Sequence, residues 1–289
     1  MRPLENGRSV RAVNELPSEI VEHYRSTDEG ARLTDAAGRL EFSRTQEIVR
    51  RHLPAESLRV LDIGGATGVH AAWLAADGHQ VTLFDIVPEH VVAARRLAER
   101  TPGMTVSMAD ARALPVPDAS FDAALLLGPL YHLTDRQDRL AALREAGRAV
   151  RAGGWIFVAA ISRFASLFDG LAHGFLSDPE FRRMVDADLA TGQHRNETDR
   201  LQWFTTAYFH HPEELRRECL DAGLGVREVV GVEGLAGWLP DLADRWDLPA
   251  NRDVILHSAR AVESEPALLG LSSHVIAVAR TRGDVVDDE

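Results

Sequence analysis

The stretch Val60-Leu-Asp-Ile-Gly-Gly-Ala-Thr-Gly-Val-His70 carries the first decision about the fold. Residues 58–63 form an apolar run of strand length, the pattern of a strand buried on both faces of a parallel sheet. Gly64, Gly65, Ala66 and Gly68 then give a loop of small residues. Val69, Ala72, Trp73 and Ala76 follow at helical spacing until Asp77 and Gly78 break the helix. A strand that turns into a helix through such a loop lets backbone approach a ligand at the carboxyl edge of the sheet. A dinucleotide fingerprint G-x-G-x-x-G begun at Gly64 needs glycine where Ala66 and Val69 stand, so the spacing of a nicotinamide site fails.

The same alternation continues downstream. Residues 80–85 read as a second strand. Pro88 opens a helix carrying Val91, Ala94, Leu97 and Ala98, which Pro102 and Gly103 end. Residues 104–108 and 121–127 are the third and fourth strands. Thr134 and Gln137 predict a capping box heading a helix to Val150, with Gly153 and Gly154 stopping it before a fifth strand at 155–161. Pro212 starts and Gly223 ends a further helix, and residues 226–232 and 274–279 complete seven strands. Strands alternating with helices predict an α/β protein with a mainly parallel sheet and crossover helices.

Three acids close the first three strands: Asp62, Asp85 and Asp110. An acid two residues before Gly64 would repel a pyrophosphate and suits a cationic ligand. Asp85 stands where a carboxylate can accept both hydroxyls of a ribose. Three acids at three successive strand ends describe a ligand with an amine, a ribose and an adenine.

These pieces resemble the class I S-adenosylmethionine-dependent methyltransferases. The resemblance rests on VLDIGGATG, the acid in VTLFDI, the stretch ADARALPVPDASFD, and LLLGPLYHL followed by a helix and RAGGWIF. It implies a Rossmann-like, doubly wound, seven-stranded mixed sheet with an N-terminal helical cap and helical lid insertions. It implies S-adenosyl-L-methionine as cofactor and S-adenosyl-L-homocysteine as product. It also places the methionyl amine near Asp62, the glycine loop at Gly64, Gly65 and Gly68, the ribose on Asp85, and the adenine on Ile86, Asp110 and Ala111. Leu127, ending the fourth strand, joins that set. Ala66 replaces the family's middle glycine, a change small enough that binding is expected to survive. The outer pieces LEFSRTQEIV and EPALLGLSSHVIAVAR resemble a small-molecule subgroup, and imply a cap in which Tyr24, Arg32 or Arg44 reaches the cofactor carboxylate. Arg44 stands four residues from both Leu40 and Ile48, so on a helix it flanks the apolar face.

The expected organisation is a cap over 1–56, a core over 57–161, a lid over 162–211, the remaining core over 212–282 with a helical insertion at 233–271, and an acidic tail at 283–289. The lid holds eight aromatics and four histidines, which a plain linker would not. Phe168, His173, Phe175, Trp203, Phe204 and Tyr208 are its candidate substrate contacts. His132, after the fourth strand, is the leading acid/base candidate, with Tyr131 beside it. His210 and His211 point to opposite sides of a strand and complete no ligand spacing, so no metal is expected. Cys219 reads as core packing.

Acidic residues outnumber basic ones, giving a net charge of −12 over 289 residues, which argues against nucleic-acid and anionic-membrane partners. Residues 1–22 lack the apolar run of a secretion signal and the single cysteine excludes an internal disulfide, so a chain starting near Met1 and working in the cytoplasm is expected. The partner is then a small molecule, with monomer and homodimer both open. The predicted reaction is methyl transfer to an O, N, S or C nucleophile. The alternatives are a non-catalytic cofactor-binding protein and another group transfer on the same scaffold.

Overall fold

The computed structural model describes residues 35–198 and 200–282. Tyr24, Arg32 and the tail at 283–289 lie outside the described residues. Strands β1 (Arg59–Ile63), β2 (Gln80–Asp85), β3 (Met104–Met108), β4 (Phe121–Leu126) and β5 (Val150–Ser162) run parallel in the order β3-β2-β1-β4-β5. Strand β9 (His274–Thr281) pairs antiparallel with β5, and β8 (Leu224–Gly231) pairs antiparallel with β9. These are the seven strands expected from the apolar runs, and β9 alone is reversed. Buried side chains on both faces explain why those runs are almost continuously apolar.

Two short strands were not expected. β5 outruns β4, whose pairing stops at Leu126 and Val158, and β7 (Ala207–His210) bonds the remaining edge through Ile161 and Ser162. β6 (Gln193–His194) closes a small hairpin on β7. The lid is therefore stitched to the sheet by backbone hydrogen bonds, including Arg163 N to the His210 carbonyl at 2.8 Å. Gly153 and Gly154 also differ from expectation: they lie within β5, where a Cβ on Gly154 would come within 2.5 Å of the Asp122 carbonyl.

Helix α1 (Ala36–His52) is capped by Asp35, whose side chain accepts from Gly38 N at 2.7 Å. α2 (Val69–Ala76) and α3 (Pro88–Ala98) are the first two crossovers, α3 with proline at its first position. After the one-turn α4 (Pro129–His132) comes α5 (Arg136–Ala149). The cap of α5 is Asp135, accepting from Gln137 N at 2.6 Å, so the Thr134 capping box does not form. The Thr134 carbonyl instead accepts from Arg139 and Gln193.

The lid contains α6 (Ala165–Ala172) and α7 (Pro179–Thr191). Phe181, Val185 and Trp203, with Phe175 and Leu176, make a core of its own. α8 (Pro212–Asp221) returns to the sheet, burying Cys219, whose thiol burial pushes up to about 12. α9 (Leu242–Trp246) and α10 (Pro249–Val262) form the later insertion, which packs on α1 through Leu40, Ala236, Leu242, Trp246 and Ile255. Cap and insertion thus share one apolar cluster above the sheet. No helix among the described residues is long and apolar enough to cross a membrane.

Candidate active site

A cavity of about 710 Å³ opens over the carboxyl ends of the parallel strands, within the range of small-molecule sites. Its floor is the first strand-to-helix loop. Gly64 sits at φ +69°, and a Cβ there would stand 2.5 Å from Pro129 Cγ; Gly68, at φ +92°, faces Met104 in the same way. A Cβ on Gly65 would come within 2.5 Å of Asp62 Oδ2. The loop is therefore closed to larger residues, and its backbone forms the wall. Ala66 carries a cost that its size does not suggest, because its φ of +47° lies in the left-handed region. Its N–H is fixed there by Asp85 Oδ2 at 2.9 Å.

Asp62 is almost fully buried at the end of β1, and its Oδ2 has no hydrogen-bond partner among the described residues. Burial, reinforced by the charge of Asp85, pushes its carboxyl up to about 7. Asp85 differs: Oδ1 accepts from Val87 N at 2.8 Å and Oδ2 from Ala66 N, while His90 Nδ1 lies 3.3 Å away. A carboxylate oxygen has two acceptor positions, so each of these can take a further donor from the cavity. Ile86 and Leu127 add apolar wall. Asp110 and Ala111 line the far end together with Arg112, a residue the motifs did not single out. The Arg112 guanidinium bonds both Asp110 oxygens and reaches Asp138 Oδ2 at 2.8 Å.

The other half of the cavity is bounded by the segment 162–211. Tyr131 and His132 both line it, and His132 Nδ1 is 3.1 Å from the Thr206 carbonyl, so that nitrogen donates. Trp203, Phe204 and His173 line it too, with Phe181, Phe209 and Trp238. His194, at the wall, has both ring nitrogens held at 2.8 Å, one by Asp188 Oδ2 and one by the Trp203 carbonyl, and pins the hairpin.

Four expectations are corrected. Phe168 packs on Trp238 at 5.7 Å between ring centres and Phe175 on Phe181 at 5.5 Å, so both build the lid without lining the cavity. Tyr208 lies under the Arg139 guanidinium, 3.7 Å from its ring centre, and likewise stays outside. Arg44 does not reach the cavity. It is fully buried in an ion-pair network with Glu47 Oε2 at 2.7 Å and with Glu263, and it donates to the Val232 carbonyl at 3.2 Å. A buried guanidinium needs an anion, and the chain supplies that anion itself. His210 bonds Glu218 at 3.3 Å, and His211 caps α8.

The sequence reading also missed Glu41, Glu233 and His274, which meet within 4.8 Å of one another, with Glu41 and His274 lining the cavity. They come from α1, the segment after β8, and the start of β9, and no short motif joins them.

A family model described as a methyltransferase domain matches residues 60–154. The chain is 31% identical over 177 residues to the ubiquinone/menaquinone biosynthesis C-methyltransferase UbiE of Chromobacterium violaceum, covering 58% of this chain and 67% of that protein. It is 37% identical over 117 residues to the ubiquinone biosynthesis O-methyltransferase of Methylocella silvestris, covering 40% of this chain and 44% of that one. Among solved structures, a SAM-dependent methyltransferase of Methanosarcina mazei superposes with a TM-score of 0.55 at 17% identity, covering 81% of this chain and 97% of that one. Fold, loop and relatives agree: the chain belongs to the class I S-adenosylmethionine-dependent methyltransferases.

Proposed function

We propose that the protein methylates a flat, hydroxyl-bearing aromatic small molecule, with the methyl donor in the glycine-loop half of the cavity and the acceptor beneath the lid. Bound S-adenosylmethionine supplies a methyl group already activated by a sulfonium charge, and S-adenosylhomocysteine is the product. The chain's task is then alignment in a dry space.

The observation that carries this reading is the orphaned Asp62 oxygen. A buried carboxylate oxygen without a donor is costly, and a ligand ammonium would supply one. Beside it, Asp85 would take the ribose hydroxyls, Ile86 and Leu127 would pack on the nucleoside, and Asp110 with Ala111 would meet the adenine edge. The walls of Trp203, Phe204 and Trp238 support a flat acceptor, and the relatives named for quinone biosynthesis support the same class. Residues 162–211 would serve as the lid and 233–271 as a second wall.

The test is turnover by the full chain with S-adenosylmethionine and separate panels of hydroquinones, catechols, amines and thiols. S-adenosylhomocysteine formed with an aromatic hydroxyl acceptor is the expected result, and Phe204→Ala should raise the acceptor KM roughly tenfold or more through lost apolar contact of about 1.5–3 kcal/mol. Turnover confined to amines or thiols would overturn the acceptor class.

A further inference from the structure

We propose that His274 is the general base of the reaction, held in place by Glu233, and that the acceptor therefore carries a hydroxyl with a proton to lose. The inference rests on the aromatic-hydroxyl reading above and deepens it.

Glu233 is buried immediately beyond β8, and both oxygens of its carboxylate are hydrogen-bonded. Oε2 accepts from Ser272 Oγ at 2.7 Å and from His274 N at 3.0 Å, while Oε1 lies 2.7 Å from His274 Nδ1. Ser272 Oγ in turn accepts from the backbone N–H groups of Glu233 and Gly234 at 2.8 and 3.1 Å. An ionised carboxylate only accepts, so Nδ1 carries the proton and the neutral ring has its lone pair on Nε2. The carboxylate thus fixes tautomer and ring orientation together, and stabilises the imidazolium that forms when Nε2 takes a proton.

The position is right for the acceptor. His274 begins β9 opposite Ile161, at the end of β5, and lines the cavity with its ring 6.0 Å from that of Tyr131. Glu41 of α1 also faces it, with Oε2 3.9 Å from Nδ1. The earlier candidate, His132, has its Nδ1 oriented by the Thr206 carbonyl at 3.1 Å. His274 has in Glu233 the carboxylate partner that a base needs.

The step is a proton transfer. The acceptor O–H bond breaks, its electron pair stays on oxygen to take the methyl, and the proton ends on His274 Nε2 opposite Glu233. It leaves to water after the product departs. An acceptor without such a proton, a thioether or a tertiary amine, would gain nothing from the pair.

Two measurements test this. In the ligand-free full chain, nitrogen-15 NMR, with His274→Gln for assignment, should show His274 as the Nδ1–H tautomer, and Glu233→Gln should shift that tautomer balance. A dominant Nε2–H form, or indifference to Glu233→Gln, overturns the pairing whatever the acceptor proves to be. With an acceptor from the phenolic panel, His274→Gln should lower kcat by roughly 10²–10⁴ with little change in KM, and the loss should shrink for more acidic phenols. Glu233→Gln should lower it less and along the same trend, whereas His132→Gln should not depend on phenol acidity. An equal loss for all phenols overturns the base role, and failure of every phenol overturns the acceptor class, leaving the NMR result to decide the pairing. Zn²⁺ or Mn²⁺ binding that His274→Gln abolishes would make Glu41, Glu233 and His274 a metal site and contradict the proposal.

Discussion

Asp62 and Asp85 end adjacent parallel strands in one cavity; both Asp85 oxygens accept from backbone N–H groups, whereas Asp62 Oδ2 has no hydrogen-bond partner among the described residues. The asymmetry makes Asp62 the group that waits for a donor, and it has consequences in the absence of any ligand.

The first concerns stability. The Asp62 carboxyl sits near 7 in the folded chain against an ordinary value of 3.8, so between these values the folded state holds the additional proton. Stability contributed by this group is therefore lost as pH rises from about 4 to about 7. Asp62→Asn should match the wild type near pH 4 and exceed it at pH 8 by about 1–4 kcal/mol, measured by urea unfolding without ligand. Cofactor affinity should fall in the same variant.

Asp85→Ala should weaken cofactor binding at least tenfold, since charged hydrogen bonds of about 1.5–3 kcal/mol each are lost. The Ala66 and Val87 N–H groups also lose their acceptor. Hydrogen exchange of residues 64–68 should therefore quicken in the ligand-free variant, and an unchanged dissociation constant would remove Asp85 from the site.

Arg44→Ala should destabilise the fold by about 1–3 kcal/mol, because the Val232 carbonyl and the inner faces of Glu47 and Glu263 lose their buried donor while Arg51 still pairs with both carboxylates and Arg260 with Glu47. The thermal midpoint should drop, while cofactor affinity measured well below that midpoint stays close to wild type.

Ala66→Gly relieves the left-handed backbone at the loop and should raise stability by about 1 kcal/mol in thermal melts, with cofactor affinity kept or improved. A loss of stability would mean that the loop adopts another conformation in solution.

The sheet was legible because a parallel strand buried on both faces leaves a nearly unbroken apolar run, as in residues 58–63 and 155–161. The acids at strand ends were legible because the loop beside them is local in sequence. Segment 162–211 stood out by composition only: an aromatic is apolar whichever way it faces, so nothing separates Phe204, at the cavity, from Phe175, in the segment's own apolar cluster. β7 is four residues long and contains two aromatics and a histidine, which gives no strand signal distinct from the lid around it. Arg44 stood where expected on α1, but its partner Glu263 lies 219 positions away. Glu233 and His274 are 41 positions apart and meet only because β8 and β9 are antiparallel neighbours.

The most direct measurement is isothermal titration calorimetry of the full chain with S-adenosylmethionine, S-adenosylhomocysteine and NAD at pH 7, repeated in phosphate and Tris buffers. Both sulfur ligands should bind, NAD should not, and the buffer difference should reveal net proton release as Asp62 ionises beside the incoming ammonium. Binding of NAD with no measurable affinity for either sulfur ligand would contradict the account at its root.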